Sequence, residues 1–170
     1  MPLDTPTLQV QITSTLTGTL LEGATPQFPL NLTWAAPLTT GVAANNADKI
    51  YTAQITLGPS AGQDIDLAGV LTDPFGVALT FVKLKGVAIR AAVANTNSVN
   101  ISRPASNGVP WFLAASDAIA LGPGGLFLFV NPGLAGIATV TPATGDLLRV
   151  DNSGAGTSVI FDIVVIGTSA

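Results

Sequence analysis

Residues 7–20 alternate without a break. Leu8, Val10, Ile12, Ser14, Leu16, Gly18 and Leu20 interleave with Thr7, Gln9, Gln11, Thr13, Thr15, Thr17 and Thr19. Side chains in a strand point to opposite faces in turn, so this segment carries one apolar face and one Thr/Gln face. A helix would scatter the same apolar residues around its whole circumference. The β-branched threonines favour extended backbone as well. A strand of this kind needs something to cover its apolar face, and that need constrains the rest of the reading.

The remainder of the chain predicts more short strands. A turn is expected over Glu22 to Phe28, then a short strand at Leu30, Leu32 and Trp34. Residues 35–48, rich in Ala, Thr, Gly and Asn, read as a long loop or linker. Tyr51, Ala53, Ile55 and Leu57 alternate up to the Gly58-Pro59 stop. Asp73-Pro74-Phe75-Gly76 is a turn signature, because Pro fixes φ and Gly accepts the strained position. Leu79 to Val93 predicts one long strand or two, with Gly86 as a bulge or break. Leu121-Gly122-Pro123-Gly124-Gly125 predicts a tight turn into a strand over Leu126 to Val130. Leu147 to Val150 and Ser158 to Ile166 flank a Gly- and Asn-rich stretch and are expected to form a hairpin. No helical periodicity stands out.

This pattern predicts an all-β protein, a β-sandwich of jelly-roll type with an extended N-terminal strand or arm. Residues 1–45 are expected to form that arm with its linker, and residues 46–170 the β-sandwich domain. Residues 118–145 carry no charge, but Pro123, Pro132 and Pro142 with Gly122, Gly124, Gly125, Gly133 and Gly136 interrupt them too often for a spanning helix. No membrane partner is expected. Met1-Pro2-Leu3-Asp4 lacks the basic segment and apolar core of a signal peptide. Without a secretory route, the Asn-x-Ser/Thr matches at Asn31 and Asn100 carry no weight.

Composition narrows the partners. Asp, Glu, Lys and Arg make up only 9% of residues, against about 25% in an average soluble domain. Glu occurs once, at Glu22, and Lys only at Lys49, Lys83 and Lys85. Such residues keep a free surface solvated, and interface cores are depleted in them. Much of this surface is therefore expected to be covered by protein. The net charge of −4 offers no basic field for exchanging phosphate counterions, so nucleic acid is not an expected partner.

Catalytic chemistry is hard to find. The chain has no His and no Cys, which removes the usual hydrolase triads, imidazole and thiolate metal sites and the commonest general base. Asp64 and Asp66 would share a strand face and are the only carboxylate pair worth weighing for glycoside hydrolysis. The spacing Asp64-x-Asp66-x-x-Gly69 lacks the third oxygen ligand and terminal Glu of a calcium loop. Gly122 to Gly125 is not followed by Lys-Ser/Thr, so it reads as a turn, not a phosphate cradle. No enzyme activity, cofactor or metal is expected.

The specific work is left to apolar and aromatic residues. Leu8, Val10, Ile12 and Leu16 on the alternating strand, with Trp34, Trp111 and Phe112, are the candidate interface residues. Phe127 and Phe129 share a strand face and are expected in the core.

Asp73-Pro74-Phe75-Gly76 with the long strand to Arg90, Pro123-Gly124-Gly125-Leu126-Phe127-Leu128 and Asn131-Pro132 form one part of a resemblance. Residues 144–150, 152–157 and 161–167 form the other. Together they resemble small virion proteins of tailed bacteriophages, in particular capsid decoration (cement) proteins, over residues 50–167. The resemblance implies a β-sandwich, often a homotrimer, that sits on the outer capsid surface of the virion and clamps neighbouring major capsid proteins. Residues 7–20 would then add to a neighbouring sheet. A tail- or fibre-associated module that recognises a host-surface glycan is the alternative, and exposed coplanar aromatics would mark it.

Overall fold

A computed structural model describes residues 3–18 and 25–170. The fold is all-β, with thirteen strands in order among the described residues. Among the described residues β1 (Thr7–Thr17) and β2 (Gln27–Pro37) are the longest strands and pair only with each other, antiparallel over eleven residue pairs. The minor strands β3 (Thr39–Thr40) and β4 (Asn46–Ala47) follow. The body contains β5 (Lys49–Leu57), β6 (Gly62–Asp66), β7 (Lys83–Ala91), β8 (Val99–Ser102), β9 (Ala118–Leu121) and β10 (Leu126–Val130). It is completed by β11 (Ala138–Thr139), β12 (Leu147–Asn152) and β13 (Val159–Thr168).

Two antiparallel sheets make the body a β-sandwich. One has the order β10-β7-β13-β5, with β11 also on β7, and the other the order β6-β12-β8-β9. Alternation decides which residues meet between them. Val87, Ile89, Phe161 and Ile163 from the first sheet face Ile101 and Val150 from the second, all without exposed surface. Each such side chain contributes about 1.5–3 kcal/mol through burial. Phe127 packs against this core as expected, whereas Phe129, on the edge strand β10, keeps 36% of its surface exposed.

Leu147–Asn152 and Val159–Thr168 do not form the expected hairpin. β12 pairs with β6 and β8, and β13 pairs with β5 and β7, so the connection crosses from one sheet to the other. The buried side chain of Asn152 closes that crossing by donating to Gly58 O (2.9 Å) and Thr157 O (2.8 Å). The Asn95 side chain continues the β7 ladder past its last residue. Its Oδ1 accepts from Ile160 N (2.8 Å) and its Nδ2 donates to Ile160 O (2.9 Å).

Gly86 does mark a bulge. Ile166 opposes Gly86 while Gly167 opposes Leu84, which leaves Lys85 as the extra residue. The Lys85 side chain is fully buried and its ammonium donates to the carbonyls of Gly133 and Leu134 (3.2 Å to the latter). The expected turn at Gly122–Gly125 is present, with Gly125 N donating to Gly122 O (2.8 Å) and Gly124 at φ 75°.

The expected linker is more ordered than its composition suggests. Ala35, Ala36 and Pro37 belong to β2, and Leu38 and Ala47 are fully buried against Ile166 on the outer face of the larger sheet. Leu3, Leu8, Ile50 and Val164 complete this second small core. It fastens the base of the β1–β2 ribbon to the body. Thr19 and Leu20, and residues 22–24 of the expected turn, lie outside the described residues; Gln27 and Phe28 belong to β2.

Candidate interaction surface

The β1–β2 register sorts the ribbon into two faces. Val10 stands opposite Trp34, Ile12 opposite Leu32, Ser14 opposite Leu30 and Leu16 opposite Phe28. All are on one face, because the pairs lie two residues apart along each strand. The other face carries Gln9, Gln11, Thr13, Asn31 and Thr33. Pro29 and Pro37 donate no backbone hydrogen bond, which a strand with one free edge tolerates.

At the base, Leu8 and Val10 are half-buried, and beyond them the apolar face is bare. Trp34 is 61% exposed, Phe28 67% and Leu16 73%. Ile12, Leu30 and Leu32 are exposed as well. Neither strand carries a charged residue. A two-stranded ribbon is marginal alone in water, and one with an uncovered apolar face is more so.

The outer face of β10 continues this surface. Leu126, Leu128 and Val130 stand opposite Arg90, Ala88 and Gly86, away from the core. Between them and the base of the ribbon runs a groove of about 300 Å³, lined by Leu8, Val10, Trp34, Leu128, Val130 and Pro132 together with Ala35 and Ala36.

Five of the seven candidate residues are thus brought together: Leu8, Val10, Ile12, Leu16 and Trp34 share one face. Trp111 and Phe112 are elsewhere. Trp111 is only 5% exposed and packs within the core, its ring centroid 4.7 Å from Phe112 and 5.9 Å from Phe127. The candidates omitted Phe28, Leu30 and Leu32, although the run Phe28-x-Leu30-x-Leu32-x-Trp34 has the same period of two as β1.

Asp64 and Asp66 are engaged structurally. Arg149 donates to Asp64 (3.1 Å) and to Asp151 (2.9 Å), and Asp66 accepts from Ala68 N (3.0 Å) to close a local turn. Among the described residues, no cluster of three or more acidic side chains is placed to hold a metal ion. No helix among them is long and apolar enough to cross a membrane.

No family model matches the chain, and neither a curated protein nor a solved structure matches it.

Proposed function

We propose that this chain is a virion structural protein, a capsid decoration protein that binds the major capsid protein lattice from outside and associates with copies of itself. The observation that carries this reading is the exposed apolar face of the β1–β2 ribbon, from Ile12 and Trp34 to Leu16 and Phe28, with no charge on either strand. An apolar surface of that extent marks a place for a partner to cover.

Strand order supports a jelly-roll type of sandwich within the same reading. β5 pairs with β13, β6 with β12, β7 with β10 and β8 with β9. These pairs are nested, as in one long antiparallel ribbon rolled into two sheets. Such a body gives a rigid base from which the ribbon reaches a neighbour.

The lattice would be stabilised by mass action. A protein that binds the expanded shell and not the unlocked one shifts the equilibrium toward the bound form. The role needs complementary surface and no catalysis, in keeping with a chain that has no His or Cys. The test is to add the purified chain to expanded tailed-phage shells assembled without it. Saturable binding and greater resistance to thermal rupture are expected; no binding to any such shell would overturn the reading.

A further inference from the structure

We propose that the β1–β2 ribbon and its linker, residues 3–18 and 25–47, form a hinged unit on the sandwich, and that buried Lys85 is the positioning residue that latches it. The proposal concerns the joint within one chain and rests neither on capsid binding nor on self-association.

The joint is almost wholly apolar. Leu3, Leu8, Leu38 and Ala47 of the ribbon unit meet Ile50, Val164 and Ile166 of the body. Apolar burial is non-directional, so such a contact holds two parts together without fixing the angle between them. Among the described residues no strand of the unit pairs with a strand of the body. One hydrogen bond among them crosses from residues 3–47 to residues 49–170, with Asn45 N donating to Pro132 O (2.7 Å). Asn45 is in turn tied to the ribbon base, because its carbonyl accepts from Thr39 N (2.9 Å), next to buried Leu38.

The acceptor of that bond belongs to a loop built around Lys85. Both ends of the loop are clamped to the β7 bulge, Asn131 N donating to Lys85 O (2.9 Å) and Ile137 N to Leu84 O (2.6 Å). The Asn131 side chain closes it, accepting from Gly133 N (3.0 Å) and donating to Gly136 O (2.7 Å). The Lys85 ammonium donates to the Gly133 and Leu134 carbonyls, and no carboxylate pairs with it among the described residues. A buried charge is costly without its hydrogen bonds, so the ammonium keeps these carbonyls, and with them Pro132, in one place. Removing it frees the loop, releases Asn45 and leaves the ribbon on its apolar joint alone.

The absence of cysteine makes the hinge directly measurable with spin labels. Thr13→Cys on the ribbon and Thr56→Cys on β5, both exposed, report a ribbon-to-body distance in the full-length chain. A single narrow distribution is expected, and one at least about twofold broader once Lys85→Met is added. Asn131→Ala, at an exposed position, should broaden it too and serves if Lys85→Met does not fold. A distribution that stays narrow in the variants, or is already broad without them, would overturn the proposal. Amide exchange separates positioning from a general loss of stability. The Asn45 amide should exchange at least about tenfold faster in either variant, with the Ile163 amide of β13 changed far less. Equal acceleration at both amides would mean a merely structural role and would overturn the proposal.

Discussion

Leu8 lies against the bare backbone of Gly86. A Cβ at Gly86 would stand 2.8 Å from Leu8 Cδ2 and 3.1 Å from Cδ1, so the ribbon base sits where it does because residue 86 has no side chain. The contact joins the ribbon to the bulge in β7, next to buried Lys85. Gly86→Val is expected to destabilise the protein by about 1–3 kcal/mol through overpacking, with Gly86→Ala costing less because the Leu8 methyls can shift. Denaturant melts check the size. Faster amide exchange over Thr7–Thr17, with β13 unchanged, would localise the effect to the ribbon.

Asn95 takes the place of a strand residue beside Ile160, where Ile160 O also accepts from Ala92 N (3.0 Å). Asn95→Ala leaves the Ile160 N–H without its partner and should cost about 1–3 kcal/mol. Asn95→Asp is expected to be at least as costly, since it loses the donor and sets a carboxylate beside a carbonyl. Thermal melts of the two variants decide this, and an Asp variant as stable as native would refute the assignment.

Two groups give the alkaline stability profile opposite slopes. Burial first, and the charge of Lys83 second, lower the Lys85 pKa below its ordinary 10.5. Between the lowered value and 10.5 the unfolded chain binds more protons, so stability rises with pH across that window. Burial raises the Tyr51 pKa above 10.0, so the folded chain keeps its proton longer and stability falls from pH 10 upward through the raised value. Urea melts should show a climb toward pH 10 and a decline above it. Lys85→Met should flatten the climb and Tyr51→Phe the decline; a climb unaffected by Lys85→Met would contradict this.

The Asp64–Arg149 pair joins adjacent strands at the surface, with side chains 41% and 39% exposed. Pairs this open contribute about 0–1 kcal/mol. Asp64→Asn should therefore change stability by no more than about 1 kcal/mol and leave self-association and shell binding intact. Any turnover by the native chain that this substitution abolished would restore the hydrolase reading.

The all-β class was legible because apolar residues recur at period two from β1 through β13. β1 runs over Thr7–Thr17 as the alternation predicts, and residues 19 and 20 of the expected strand lie outside the described residues. The sequence pattern shows only part of β2, because Pro29 and the Ala35-Ala36-Pro37 end break it, and prolines are tolerated only where one edge is free. The β12–β13 error has a different origin. Alternation tells which face of a strand is buried but not which sheet it joins, and two strands facing each other across a core alternate like two strands of a hairpin. The bulge at Gly86 was readable, but its cause, Leu8, lies in another segment of the chain. Trp111 could not be assigned from its Pro-flanked loop, and tertiary packing put it in the core.

Trp34 offers the most direct test, because the chain has only two tryptophans and the other, Trp111, is buried. Acrylamide quenching and emission wavelength are followed as the protein is concentrated and then mixed with expanded shells. Trp34 should be quenchable and red-emitting in dilute solution, and should become protected and blue-shifted as copies and shell cover the ribbon. A Trp34 that stays open to quencher at every concentration and on every shell would contradict it.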